Sequence, residues 1–555
     1  MTEFFQDGPR LGNQYDDDRV LQSYLRRHLP TAMFDEIEPN LRRLGERVAT
    51  DILEIGDAAE REAPRHVPYD PWGRRIDRIE TSDAWRQLDR ISATEGIVAT
   101  AYERAHGALS RIDQFARLYL FAPSSALYSC PLAMTDGAAR FLEVHGGPET
   151  RQVFDHLTSR DPEYFWTSGQ WMTERTGGSD VGATTTVARC ESGDRYRLYG
   201  AKWFTSATTS QVAMTLARIE GAPAGGSGLS VFLITLRDDD GTLRNIRVDR
   251  LKDKLGTRAL PTAELTLQGT PALLVGGAGD GVRKIATLFN ITRVYNAVAA
   301  VAGMRRAIAL ATDFARGRRA FGKLLIEHPL HVETLAAMEV EFRAAFHLAF
   351  RVVELLGKEE AGEASEEELK LLRLLIPIAK LYTAKQAISV ASEALEAFGG
   401  AGYIEDTGLP RLLRDAQVLS IWEGTTNILS LDALRAIEKT DALAMWTADA
   451  KRRIAAANAA QYIAEAKRVS LAIESIEAYG RQAAQAGGEF QQAGARGLAY
   501  SIARTDAAIL LLEDAVRSDD SAAHAAAMRW AARDLVPLVE GDAEYRAHSR
   551  ALLDE

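Results

Sequence analysis

The hydrophobic period changes twice along this chain of 555 residues, and no other feature constrains its fold as much. From Asp18 to about Arg160 apolar residues recur every three to four positions, as in "RVLQSYLRRHL", "NLRRLGERVATDILEIGDAAE" and "EGIVATAYERAHGAL", which predicts a helical N-terminal unit. Between about Phe165 and Gly269 the period falls to two, in "DRYRLYG", "SGLSVFLITL", "RNIRVDRL" and "AELTLQG", with Gly, Asp and Pro between the runs. This predicts a mostly antiparallel β domain. Long helical segments return after "GGAGDG" (Gly276 to Gly281): one ending in "ATDFARGR", one starting at "HVETLAAMEVEF", one running through "LLIPIAKLYTAKQ", and one starting near Thr426. Four helices of such length predict a bundle. "EEAGEASEEE" (Glu359 to Glu368) reads as the solvated connection between the second and third.

From about Thr440 to Glu555 a further Ala-rich helical region follows without a Gly/Pro-rich linker and is expected to dock on the rest. The fold expected is therefore mainly α with a central antiparallel β domain, divided at 1–164, 165–275, 276–439 and 440–555. A chain this long needs more than one core, since single cores rarely grow past about 250 to 300 residues.

Net charge excludes some functions. At −11 overall, nothing favours a general polyanion binder. The C-terminal region from Asp441 holds 13 Lys+Arg against 17 Asp+Glu, a net of −4. Phosphate neutralisation needs the opposite sign, so nucleic acid is disfavoured as a partner. Two cysteines, Cys130 and Cys190, form no disulfide framework or metal motif and are expected to be plain buried thiols. The acidic start "MTEFFQDGPRLGNQYDDD" reads as neither secretory signal nor transit peptide, and no uninterrupted apolar run reaches bilayer-spanning length. A cytoplasmic protein without a membrane partner is expected.

"GGAGDG" is not a dinucleotide fingerprint: that motif needs a parallel strand before it and a βαβ unit around it, whereas β structure precedes and helices follow. It reads as a turn ahead of a helix. Four other segments carry chemistry. "WMTERTGGSD" (Trp171 to Asp180) combines hydroxyls with small residues that allow close backbone approach, and "YGAKWFTSAT" (Tyr199 to Thr208) sets a ring pair beside hydroxyls. "ARGRRAFGKLL" (Ala315 to Leu325) puts three arginines at a helix end before Phe-Gly. "LEAFGGAGYIEDTGLPRLLRDAQVLSIWEGTTNIL" (Leu395 to Leu429) ends one helix at Gly399 and Gly400 and leads through a short helix to a loop carrying Glu423.

In order and spacing these four segments resemble the flavin- and substrate-binding segments of the acyl-CoA dehydrogenase family, over about Trp85 to Lys439. "YDPWGRRID", "RLKDKLGTR", "FGKLLIEHPL", "IWEGT" and the added C-terminal helices are similar to the AidB-like branch, the adaptive-response flavoproteins. The resemblance implies an FAD cofactor, an acyl-CoA substrate, an electron-transferring flavoprotein as acceptor, and a homotetramer or at least a dimer. It implies that Met172, Thr173, Gly178 and Ser179 line the flavin, Phe204 covers its face and Ser206 reaches its N5/O4 edge. Arg318, three residues before Phe321, matches the arginine that meets the FAD pyrophosphate of a neighbouring subunit, for which a forked guanidinium is suited. Glu396, Gly399, Gly400, Thr425 and Asn427 match further FAD contacts, although many members carry glutamine where this chain has Pro329 and Glu396.

Glu423 matches the family's catalytic base, which takes the α-proton of an acyl thioester while the β-hydride passes to flavin N5. Its backbone N–H would join a flavin hydroxyl in holding the enolate oxygen. Some branches place the base just before the arginine equivalent to Arg293, but here that residue is Thr292, which cannot serve. Ser179, Asn290, Arg293 and Gly424 match substrate-lining positions. Two other readings compete with a dehydrogenase. One is an AidB-like flavoprotein of low dehydrogenase activity that protects against alkylation or other stress. The other is an oxygen-using oxidase, against whose nitroalkane form Glu423 speaks, because aspartate is usual there.

Overall fold

A computed structural model describes residues 6–457, 459–518, 520–539 and 541–554. The chain divides into two compact units, one formed by Gly12–His106 with Asp113–Tyr295, the other by Met1–Leu11, Gly107–Ile112 and Asn296–Glu555.

The first unit opens with helices Arg19–His28, Thr31–Arg47 and Asp51–Arg61. The segment read from sequence as one helix up to Glu60 breaks at Thr50, whose φ of −126° and ψ of −104° lie outside the helical region. The helical expectation also fails over "YDPWGRRID", which is the turn and second strand of a hairpin, Arg65–Tyr69 against Arg75–Glu80. Asp70 folds the tip: its Oδ1 accepts from the amides of Trp72 (2.9 Å) and Arg74 (2.8 Å), and Gly73 supplies the left-handed φ of +80°. Helix returns at Asp83–Thr94, capped by the Ser82 hydroxyl, and at Ser129–His145.

The expected β domain is a seven-stranded sheet. Strands Val212–Ile219, Val187–Ser192, Arg195–Ser206, Thr262–Val275 and Leu229–Thr235 pair in that order, and the last pairs again with the first, closing a barrel-like ring. Most pairings are antiparallel, but Ser168–Trp171 and Val187–Ser192 each run parallel to Val212–Ile219. Closure leaves the five ring strands without a free edge, while Ser168–Trp171 and Ile246–Leu251 each pair on one side only. Side chains on one face of these strands, among them Leu198, Phe232, Ile234 and Leu265, fill the interior. The other face of Val212–Ile219 and Leu229–Thr235 packs with Phe141, Leu142 and Leu288 from the flanking helices. Cys190 departs from expectation: Cys130 is buried, whereas Cys190 is exposed on a strand near its turn. "GGAGDG" is the turn expected, with Gly276, Gly277 and Gly279 all at positive φ ahead of the helix Gly281–Lys284.

In the second unit the bundle helices are Ala286–Gly317, which begins in the first unit, Pro329–Ala361, Glu366–Ala397 and Thr426–Thr440. The connection between the second and third is shorter than the sequence reading of 359–368. Gly362 at φ +71° ends one helix, and Ser365 starts the next in a capping box with Glu368. The helices Ala442–Ala456, Ile463–Ala486 and Gly488–Arg517 belong to the same unit. A buried ion network ties them to the bundle: Arg453 holds Glu513 through two bonds (2.8 and 2.7 Å), and Arg351 of the second bundle helix holds Asp449 at 2.5 Å and lies 3.5 Å from Asp506. Among the described residues one helical stretch, Gly281–Gly317, is by length and composition apolar enough to cross a bilayer; Arg293, Arg305 and Arg306 interrupt it, and most of it is buried.

Candidate functional site

The first unit carries one cluster of candidate residues at the end of the strand Arg195–Ser206. Its register against Thr262–Val275 shifts between Lys202 and Thr205, so Trp203 and Phe204 occupy a bulge. A bulge turns side chains out of the regular alternation. Here it puts Phe204 at φ +55° with its ring 58% exposed, a conformation and an exposure a phenylalanine in a strand ordinarily avoids. Two cations lie over the Trp203 ring, Lys252 Nζ 3.5 Å and Arg175 Cζ 5.1 Å from its centre. Lys252 also reaches the Phe204 ring, at 4.5 Å, and donates to Glu264 (2.6 Å). The Ser206 hydroxyl is 3.0 Å from that of Thr262.

The loop Met172–Asp180 is fastened beside this bulge. Trp203 N–H donates to the Thr173 carbonyl (2.9 Å), Met172 is buried in the core, and residues 175–180 are exposed. Gly178 has no room for a side chain: a Cβ there would come within 2.5 Å of Thr173 Oγ1. Exposed amides, the hydroxyls of Thr173, Ser179 and Ser206, and an open aromatic face make up a donor set that fits an isoalloxazine ring.

Beneath the loop lies a buried pair that sequence reasoning missed. Lys202 is 0% exposed and donates to Glu174 Oε1 at 2.9 Å and to the Leu216 carbonyl at 2.9 Å. Glu174 also accepts from the amides and hydroxyls of Thr185 and Thr186. Burial pushes the Glu174 carboxyl up, but the Lys202 charge and the threonine hydrogen bonds outweigh it and hold the group down at about 2. Burial lowers the Lys202 ammonium against the opposing pull of Glu174. The signal was available: alternation along "LYGAKWF" sets Lys202 on the same face as the buried Leu198.

The second unit carries the other cluster. The short helix Pro410–Leu419 ends at Ser420, and a turn leads to Thr425, the N-cap of Thr426–Thr440. Glu423 stands half-buried in this turn at φ +57°, followed by Gly424 at φ +104°. A Cβ on Gly424 would meet Leu429 Cδ2 at 2.9 Å, so glycine is required both by conformation and by space. The Trp422 indole N–H donates to Asn296 Oδ1, and Asn296 Nδ2 donates to the Leu419 carbonyl (3.1 Å). Lys380, fully buried in the third bundle helix, donates to the carbonyls of Trp422 (2.6 Å) and Gly424 (2.7 Å). It too was missed, although a lysine inside the apolar run "LLIPIAKLYTA" marks a cation that must find acceptors.

In the same unit Arg318 follows the first bundle helix, and its Nη1 donates to Gln6 (3.3 Å). Phe321 tips the hairpin Arg319–Ala320/Lys323–Leu324 at φ +50° and is 98% exposed. Glu396, Gly399 and Gly400 are exposed at the end of the third bundle helix, with open space around both glycines. Thr425 and Asn427 are exposed at the start of Thr426–Thr440, where helix amides favour anions. In the first unit Asn290 and Arg293 are half-buried on the stretch 286–295, and Thr292 between them is buried with its hydroxyl on the Phe289 carbonyl.

Comparison with known proteins covers most of the chain. Residues 9–163 match the adaptive response protein AidB N-terminal domain, residues 169–270 the acyl-CoA dehydrogenase middle domain, and residues 279–438 the acyl-CoA dehydrogenase C-terminal domain. Residues 441–555 match a domain described as acyl-CoA dehydrogenase 11 C-terminal domain-like. Acyl-CoA dehydrogenase family member 11 of Caenorhabditis elegans is 48% identical over 442 residues, covering 78% of this chain and 72% of that protein. The putative acyl-CoA dehydrogenase AidB of Escherichia coli is 35% identical over 410 residues, covering 72% of this chain and 74% of that protein. The crystal structure of C. elegans ACDH-11 in complex with C11-CoA superposes with a TM-score of 0.97 at 40% identity, over 100% of this chain and 97% of that one.

Proposed function

Because the chain belongs to the acyl-CoA dehydrogenase family, we propose that it oxidises an acyl-CoA thioester at the α,β bond with FAD, Glu423 being the base. The observation that carries this reading is the setting of Glu423: a half-buried acid at left-handed φ, in a turn whose flanking carbonyls are held by a buried lysine. Strain of this kind persists only where the surroundings over-determine it, and it gathers at working sites. The C11-CoA bound to the C. elegans relative supports an acyl-CoA as substrate class.

In the first unit, Thr173, Ser179 and Ser206 would hydrogen-bond the flavin ring, Met172 and Gly178 would line it, and Phe204 would lie against its face. In the second, Arg318 and Phe321 would meet the pyrophosphate and adenosine of a neighbouring subunit's FAD, with Glu396, Gly399, Gly400, Thr425 and Asn427 contributing further contacts. When bound, FAD supplies the acceptor for the hydride leaving the β-carbon. The rest is done by the chain. The Glu423 carboxylate accepts the α-proton, the Glu423 N–H receives the thioester oxygen as charge builds there, and Gly424 keeps the approach clear. Ser179, Asn290 and Arg293 would line the path of the substrate. An electron-transferring flavoprotein is the proposed acceptor, the assembly a homotetramer and the compartment the cytoplasm. The acidic C-terminal region, at a net of −4, leaves an AidB-like role on DNA without support.

Anaerobic titration of the purified, FAD-loaded protein with a panel of acyl-CoAs, followed by flavin absorbance, tests this. Bleaching by at least one acyl-CoA is expected, and Glu423→Gln should keep the yellow flavin while slowing bleaching by about 10²- to 10⁴-fold. Bleaching at the wild-type rate by the variant, or a protein that will not take up FAD, overturns the reading.

A further inference from the structure

We propose that Lys380 is a positioning residue for the reaction, setting both the carboxylate and the backbone N–H of Glu423 through the two peptide carbonyls on either side of it. Its Nζ lies 2.6 Å from the carbonyl oxygen of Trp422 and 2.7 Å from that of Gly424, the residues immediately before and after the acid. The ammonium belongs to the long bundle helix Glu366–Ala397 and is 0% exposed, so it is a fixed point and not a surface side chain that happens to reach the loop.

Residues 420–425 form neither helix nor strand, and Glu423 and Gly424 both adopt left-handed φ. Such a turn keeps its shape only if its polar groups are tied. The stretch before it is tied by Ile421 N–H and Trp422 N–H to the Val418 carbonyl (2.9 and 3.1 Å) and by the Trp422 indole to Asn296; the stretch after it is tied by Leu429 N–H to the Thr425 carbonyl (2.9 Å). Lys380 acts between these two anchors, on the Trp422–Glu423 peptide and on the Gly424–Thr425 peptide one residue further on.

Peptide geometry carries the consequence further. In a planar trans peptide the C=O and N–H point in opposite directions. A Trp422 carbonyl fixed on Lys380 therefore aims the Glu423 N–H away from the lysine. The same cation polarises that peptide, so its N–H becomes a stronger donor to an oxygen gaining negative charge. A hydrocarbon side chain would fill the same space without the cost of burying a charge. The two carbonyl bonds give the ammonium a task that such a side chain could not perform.

Resting on the assignment of Glu423 as base, the test separates the two ideas by pairing Lys380→Met with Glu423→Gln. Lys380→Met is expected to retain FAD and acyl-CoA affinity, to slow single-turnover bleaching at saturating acyl-CoA by about 10- to 100-fold, as misplacement of a reacting group does, and to leave the half-saturating concentration nearly unchanged. Hydrogen exchange of the 418–429 segment, measured on flavin-free protein, should speed up in Lys380→Met and stay as in the wild type in Glu423→Gln. If Lys380→Met does not fold, Lys380→Gln, which keeps a neutral donor, is judged by the same two measurements. Wild-type bleaching in the lysine variant while Glu423→Gln is inactive overturns the positioning role, and so does slowed bleaching without a change in hydrogen exchange. Should Glu423→Gln bleach normally, the base assignment falls, and the exchange measurement still decides whether Lys380 holds the turn.

Discussion

Two fully buried lysines divide the labour of this protein differently. Lys202, under the loop of the sheet unit, faces the carboxylate of Glu174, itself satisfied by two threonines; Lys380, in the bundle, donates to two peptide carbonyls of a strained turn. In the first case charge meets charge and the product is a rigid floor. In the second a charge orients dipoles, and the product is the direction of a backbone. A buried ion pair broken on one side leaves an uncompensated charge, whereas a carbonyl deprived of a donor loses only a hydrogen bond.

That difference sets the largest expected effect. Lys202→Met should cost about 3–5 kcal/mol of stability, because Glu174 is left charged in a site 3% exposed. Lys380→Met should cost about 1–3 kcal/mol, the scale of unmade hydrogen bonds. Denaturant unfolding of the two variants side by side measures both, and equal costs would break the comparison. The double variant Lys202→Met/Glu174→Gln should be more stable than Lys202→Met alone, with a coupling of up to about 3 kcal/mol in the double-mutant cycle.

Acid and alkali sharpen it next. Glu174 is held at about 2, below the ordinary glutamate value of 4.5, so its share of stability is fully present above pH 4.5 and is lost as pH falls through about 2. In Glu174→Gln that acid-side loss should shrink. Lys202 then remains buried without its carboxylate, its ammonium lowered from 10.5 by burial. A lowered lysine binds fewer protons folded than unfolded, so the variant should gain stability as pH rises toward 10.5, a trend that unfolding curves between pH 7 and 10 would show.

Sequence alone delivered the layers of the fold and named the candidate positions, because periodicity and motif order survive without coordinates. What it could not supply were effects set by register and by packing partners. The hairpin at 65–80 hides in a helical context because a single Asp70 turn, not a long alternating run, announces it. The exposure of Phe204 follows from a bulge, and a bulge is a relation between two strands distant in sequence, Arg195–Ser206 and Thr262–Val275. Glu174 and Lys202 lie 28 residues apart, so neither looks paired when read in line. Lys380 lies 42 residues from Trp422, and it could have been suspected only as a lone cation in an apolar helix.

The smallest expected effects compare the two regions at their strained points. Phe204, at φ +55° in the sheet unit, and Glu423, at φ +57° in the bundle unit, are both non-glycine residues in the left-handed region. Such residues are costly there by about 1–2 kcal/mol, and glycine adopts the same backbone freely. Replacing either by glycine should relieve that strain, offset by glycine's greater freedom in the unfolded chain and by whatever contacts each side chain makes. The net change is expected within about 1 kcal/mol of the wild type for both, and toward greater stability for Phe204, whose ring is 58% exposed and has little burial to lose. Phe204→Gly should also release FAD more readily on dilution, read by flavin fluorescence. A strain kept where glycine would be easier implies that the side chain is needed for something other than folding. If Phe204→Gly is clearly destabilised while Glu423→Gly is not, the bulge is held by its aromatic pair with Lys252, and strain in the sheet unit has a packing cause that the turn in the bundle does not share.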